Sequence, residues 1–133
     1  MNETDIENAI GKELSDAALG YPIVWPNKSA VPPSRPYLVF QMARTGIVSP
    51  MLAGGTRVYS DGFAMVTVVA QTDKFATPAG RIADSIAALF PAGKRIAVTG
   101  GQITIAKRAE VLDGYTDDTN WRVPVRITYR ARS

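Results

Sequence analysis

Residues 57–71 read RVYSDGFAMVTVVAQ, and beyond Gly62 apolar side chains fill both alternating positions. Residues 37–44, YLVFQMAR, repeat the pattern. Successive strand side chains point to opposite faces, so such a segment is a β-strand with apolar surface on two sides, and both sides need covering. Helices elsewhere in the chain can cover one side. The other calls for a second layer, for which a chain of 133 residues has little material left, or a neighbouring subunit, or a sheet rolled on itself.

Two helices are legible. In the first, Thr4 and Glu7 have capping-box spacing, and Ile6, Ile10, Leu14 and Ala17 recur on one face, widened by Ala9, Ala18 and Leu19. Gly20 and Pro22 stop it, so the spacing predicts a helix over 5–19 with Glu3, Glu7 and Lys12 facing water. In the second, Thr77 is the expected N-cap with Pro78 at the first helical position. Ala79, Ile82, Ala83, Ile86, Leu89 and Phe90 form one apolar stripe. Ile10, Leu14, Phe40, Val66, Val68, Ile82, Ile86, Leu89, Ile103 and Val125 are the expected core.

Five prolines between Tyr21 and Pro36 restrict that stretch to an edge strand at Ile23-Val24-Trp25 and an extended strap, with Trp25 and Tyr37 pinning it to the sheet. Residues 45–56, TGIVSPMLAGGT, read as a glycine-bearing loop whose Ile47, Val48, Met51 and Leu52 are costly to expose. Such a loop either folds back on its own domain or orders against a partner. Further on, a strand over 94–99 meets a turn at Gly100-Gly101. Residues 102–112 then alternate, with Ile103, Ile105, Ala109 and Val111 on one face. The glycine pair opens no helix and lacks the Lys-Ser/Thr of a phosphate loop.

The closing run, WRVPVRITYRAR over 121–132, sends Trp121, Val123, Val125, Ile127 and Tyr129 one way and Arg122, Arg126, Arg130 and Arg132 the other. A row of guanidinium groups suits carboxylates of a partner, keeps a sheet face in water, or contacts phosphates. Without interleaved aromatics on that face, single-stranded nucleic acid has nothing to stack on. Arg122, Arg126 and Arg130 join Ile47, Val48, Met51 and Leu52 as candidate interaction residues, with carboxylates of a neighbour's N-terminal helix as one expected counterpart.

Composition narrows the chemistry further. The chain has neither His nor Cys, which removes thiol nucleophiles, imidazole bases, disulfides and the usual zinc, copper or haem ligand sets. Asp113, Asp117 and Asp118 fall in a turn segment whose spacing fits no EF-hand, and no Ser lies in a nucleophile-elbow context. No enzyme signature is left, and no cofactor is called for. The net charge is +3, yet residues 1–19 carry five acids against Lys12, so the basic excess lies downstream. The N-terminus lacks the charge and apolar pattern of a signal peptide and no apolar run has membrane-spanning length, so a soluble protein made in the cytosol, with no membrane partner, is expected.

In order, the chain presents an acidic amphipathic helix, Ile-Val-Trp-Pro-Asn, and Pro-Pro-Ser-Arg-Pro-Tyr-Leu entering a strand. A glycine-bearing loop, a long strand, a capped helix ending in Leu-Phe-Pro, a Gly-Gly turn and Trp-Arg-Val-Pro-Val-Arg-Ile-Thr-Tyr-Arg follow. This order resembles, over essentially the whole chain, the small tail terminator (tail completion) proteins of long-tailed bacteriophages, a siphophage minor tail protein family. The resemblance implies an α/β (α+β) fold in a single domain over 1–133, a mainly antiparallel sheet with two helices packed on one face. It implies a structural virion protein and no enzyme. A hexameric ring of its own copies would cap the tail tube protein, stop polymerisation and present a surface to the head-tail connector protein, with DNA passing the channel. The location implied is the head-proximal end of the tail in the virion, reached from the host cytoplasm. Another neck ring protein, such as a head-closure protein, and a nucleic-acid-binding module with salt-sensitive affinity are the alternatives.

Overall fold

A computed structural model of the chain describes residues 3–17, 20–25, 36–48, 59–71, 76–98, 100–117 and 119–132. The elements are α1 (Glu3–Asp16), β1 (Ile23–Val24), β2 (Tyr37–Val48), β3 (Tyr59–Gln71), α2 (Ala76–Ala88), β4 (Arg95–Val98), β5 (Gly101–Ile105), β6 (Glu110–Val111), β7 (Tyr115–Asp117) and β8 (Asn120–Arg132). They form one sheet in the order β1-β2-β3-β8-β5-β4, with β6 and β7 also paired to β8. All pairings are antiparallel except β1 with β2, so the sheet is mainly antiparallel, as expected. The long β2, β3 and β8 form its spine. β3 and β8 stay in register without interruption from Tyr59↔Arg132 to Gln71↔Asn120.

Alternation sorts this spine into two faces. One carries Leu38 and Phe40, Ala64, Val66 and Val68, Val123, Val125, Ile127 and Tyr129, continued by Ile103, Ile105 and Ile96 on the outer strands, all buried. Ile6, Ile10 and Leu14 of α1 and Ala79, Ile82, Ala83, Ile86 and Ala87 of α2 join the same cluster, so both helices cover that face. The expected core is present there. Leu89 is only half-buried and packs against its margin.

Several boundaries differ from the sequence reading. α1 begins at Glu3 and α2 at Ala76, so Thr4 and Thr77 lie inside the first turns rather than at the caps. First-turn N–H groups have no partner within the helix, so a start shifted by one or two residues costs little. α1 stops at Asp16, short of Leu19, before Gly20 at φ 86°. The run 102–112 is two strands rather than one. Ile105 pairs with Tyr129 and Glu110 with Arg126, which leaves two residues more on this side of the ladder than on β8. Ala109 stays buried, but Val111 is 41% exposed, because β6 is an edge piece bonded only to β8. In the β4–β5 turn Gly100 takes φ 84°, while Gly101 already pairs with Val98.

The largest correction concerns Thr45–Val48. These residues extend β2, and Ile47 pairs with Ser60 and Val48 with Tyr59 after a register shift between Arg44 and Gly46. The bulge admits one extra residue and lets pairing resume, which an alternation pattern broken by Thr45-Gly46 does not reveal. Met51 and Leu52 lie outside the described residues.

α1 ties the two ends of the sheet together. Trp25, just after edge strand β1, stacks obliquely on Phe40 with ring centroids 5.6 Å apart. It lies so close to Gly11 that a Cβ there would fall 2.9 Å from the indole. From the opposite edge Lys94, which leads into β4, reaches Glu13 at 3.0 Å. Its Nζ also donates to the carbonyl of Leu89 at 2.9 Å, closing the C-terminus of α2.

Candidate interaction surface

The other face of the sheet is covered by neither helix. Cross-strand rows run Tyr37–Val69–Arg122–Tyr115, Val39–Thr67–Pro124, Gln41–Met65–Arg126–Glu110 and Ala43–Phe63–Thr128. Tyr37, Thr67, Val69 and Pro124 are buried, while Val39, Ala43, Phe63 and Met65 are half-buried. The two-sided apolar pattern of β3 is therefore real, with one side under the helices and the other forming an apolar band beside a charged one.

The charged band is the arginine row of β8. Arg122, Arg126 and Arg130 share this face, as the alternation predicts, and each holds a carboxylate of its own chain. The Arg122 Nε donates to Asp117 at 2.9 Å, and an Arg126 Nη to Glu110 at 3.1 Å. Arg130 makes a two-pronged contact with Asp61, at 2.8 and 3.2 Å. Glu110 stands directly opposite Arg126, and Asp61 directly opposite Arg130, the geometry in which cross-strand ion pairs form. The Arg126 guanidinium also lies 5.9 Å from the Phe63 ring centroid, which joins the charged band to the apolar one. Its Nε is buried and has no hydrogen-bond partner.

The Lys107 ammonium, then the Arg126 guanidinium, hold the Glu110 carboxyl below its ordinary value of 4.5, against a smaller opposing effect of desolvation. Lys107 approaches Glu110 to 2.7 Å. The Arg122–Asp117 and Arg130–Asp61 pairs are open to solvent, and pairs of this kind contribute about 0–1 kcal/mol each. They fix side-chain positions more than they hold the fold.

The surface therefore gathers Arg122, Arg126 and Arg130 with Asp117, Glu110 and Asp61, which come from separate segments of the chain. Within the chain, Glu13 of α1 is engaged by Lys94. Ile47 and Val48 enter the sheet as β2 residues at the far end of the spine. Asp61 and Glu110 were missed because their role depends on register, which single-strand periodicity does not carry. Two grooves flank α1, one of 390 Å³ lined by Glu7, Gly11, Lys12, Trp25 and Phe40, the other of 260 Å³ beside Tyr21, Ile23 and Leu38. Among the described residues no three acids cluster to hold a metal ion, and no helix is long and apolar enough to cross a membrane.

The chain is similar to a solved structure that carries no functional description, at 26% identity and a TM-score of 0.80, covering 98% of this chain and 96% of that one. It also resembles a protein from the virion of a native gene transfer agent (GTA) particle, at 17% identity and a TM-score of 0.59, covering 97% and 94%. At that identity the second likeness concerns the fold alone. No curated protein matches the chain. The family model described as phage tail terminator protein matches residues 5–129. With that match over nearly its whole length, the chain belongs to the phage tail terminator family and is a structural virion protein of the tail, not an enzyme.

Proposed function

We propose that copies of this chain assemble into a ring, hexameric as the family resemblance implies, that caps the tail tube, stops its polymerisation and offers the joining surface to the head connector. The family match over residues 5–129 carries this reading. The face left uncovered by the helices supports it. A subunit with a half-buried apolar band at Val39, Ala43, Phe63 and Met65, bordered by a fixed arginine row, has the apolar centre and polar rim of a protein interface. In this reading Arg122, Arg126 and Arg130, with their carboxylates, line a contact between subunits. Ile47 and Val48 at the end of β2, with Met51 and Leu52 that follow them in the sequence, contact the tube or the connector. The protein sits at the head-proximal end of the tail. Negative-stain imaging of the purified protein, alone and mixed with tail tubes of its phage, tests this directly. Rings, and tubes closed at one end, are expected. Tubes that keep elongating in the presence of a molar excess of protein would refute it.

A further inference from the structure

The dipeptide Asp-Gly occurs at Asp61–Gly62 and again at Asp113–Gly114, and the fold places the two copies in opposite surroundings. Asp61–Gly62 lies in β3, with β2 on one side and β8 on the other. The Arg130 guanidinium holds both Asp61 carboxylate oxygens, at 2.8 and 3.2 Å. Gly62 is buried, with so little room that a Cβ would fall 2.7 Å from the Ala43 carbonyl oxygen. Asp113–Gly114 instead joins β6 to β7, both paired only to β8. The Leu112 N–H donates to the Pro124 carbonyl at 2.9 Å and Tyr115 pairs with Arg122, so Asp113 and Gly114 together stand against Val123, which makes this a bulge. Asp113 is exposed and has no hydrogen bond or ion pair to another described residue. Nor does the Gly114 N–H meet a backbone acceptor among them. The Trp121 indole lies where a Cβ on Gly114 would collide with it, so the fold keeps glycine there, the residue whose amide nitrogen is least hindered.

We propose that Asp113–Gly114 is a site of spontaneous covalent modification, converting to an isoaspartyl linkage through a cyclic imide, and that the fold protects Asp61–Gly62 from the same change. In the first step the Gly114 nitrogen attacks Cγ of the neutral Asp113 carboxyl. The N–Cγ bond forms, the Cγ–OH bond breaks, and the amide proton leaves with the hydroxyl as water. In the second step water adds to one of the imide carbonyls. Opening at Cγ restores aspartate, whereas opening at the α-carbonyl leaves the main chain running through Cβ and Cγ, with a free α-carboxylate. The water lost is regained, so the product keeps the parent's mass. Ring closure needs the side chain to turn back over the nitrogen that follows it. An exposed bulge permits that rotation. At Asp61 the guanidinium fork and the two flanking strands oppose it. The reaction needs only one subunit and water, so the reading stands apart from the ring proposal. A protein of an assembled virion is not resynthesised, and the product accumulates with age.

The test ages the full-length protein in mildly acidic buffer below its thermal midpoint, with a second portion held unfolded in guanidinium chloride. Isoaspartate is then located by labelling with an isoaspartyl methyltransferase and by peptide mapping. In the folded protein Asp113 should react about a hundredfold faster than Asp61, because reaction at Asp61 waits on opening of the central ladder. In denaturant the two sites should react at similar rates, since only the shared dipeptide then acts. Asp113→Glu, whose longer side chain closes a less favourable ring, should lose the product at 113 and keep the parent's thermal midpoint. Equal rates at the two sites in the folded protein would overturn the proposal. So would an Asp113 that stays intact while folded and reacts once unfolded, which would show the bulge to be as locked as the strand. Failure of both sites to react in denaturant would overturn the chemistry itself.

Discussion

Gly62 sits near the start of β3, between Arg44 of β2 and Tyr129 of β8 in register. A Cβ built there would lie 2.7 Å from the Ala43 carbonyl oxygen and 2.7 Å from the Tyr129 hydroxyl. The carbonyl belongs to backbone and the hydroxyl to a buried side chain, so neither yields as a surface group does. Gly62→Ala thus combines two opposed effects. Forcing an extra methyl into a packed site costs about 1–3 kcal/mol. Restricting the unfolded chain returns about 0.4–1 kcal/mol. The clash wins, leaving a net loss of about 1–2 kcal/mol. At about 2.1 cal/mol/K per residue, a chain of 133 residues has an unfolding entropy near 0.28 kcal/mol/K, so the midpoint should fall by about 4–7 °C. Differential scanning calorimetry of the parent, Gly62→Ala, Tyr129→Phe and the double variant separates the two contacts. Removing the hydroxyl should relieve part of the clash, and the carbonyl should keep the rest, giving a coupling of about 0.5–1 kcal/mol. A Gly62→Ala midpoint equal to or above the parent's would refute the close approach of β2 and β8 at this point.

Ile86→Asp should abolish the cooperative melt, because Ile86 is fully buried between α2 and the sheet and an unpaired ion there costs several kcal/mol; circular dichroism reads the outcome. Arg126→Glu would set two carboxylates directly opposite each other at Glu110, so a lowered midpoint is expected with ring formation lost in sedimentation, and unchanged assembly would remove Arg126 from the interface. Glu110 has a folded pKa below 4.5, so its contribution is fully present above that value and is lost as pH falls through the lowered one. The acid decline of the midpoint should accordingly be shallower in Glu110→Gln, and identical profiles would count against the Lys107–Glu110–Arg126 arrangement. Deleting Met51–Gly54, which spares the paired Ile47 and Val48, should shift the midpoint by only a few degrees, since loop length enters logarithmically, while impairing tube capping in negative-stain images.

The sequence by itself determined the elements that rest on local periodicity and on residue chemistry. The stripes Ile6, Ile10, Leu14 and Ile82, Ile86 announced helices, and they are buried as such. The alternation of residues 121–132 assigned arginines to one face and core residues to the other, and β8 keeps that division along its length. The prolines made Ile23–Val24 an edge strand, and the missing His and Cys removed most catalytic chemistry. Only the tertiary structure decided what depends on register between distant segments. β8 lies between β3 and β5, so Asp61 meets Arg130 across 69 residues of chain, and Glu110 meets Arg126. The bulge at Arg44/Gly46 drew Ile47 and Val48 into β2, and two extra residues split the run after Ile105. Trp25 on Gly11 and Lys94 on Glu13 likewise became neighbours only when α1 packed across both edges of the sheet. Periodicity fixes which way a side chain points; pairing partners follow from how the whole sheet minimises unburied apolar surface, and no single segment carries that information.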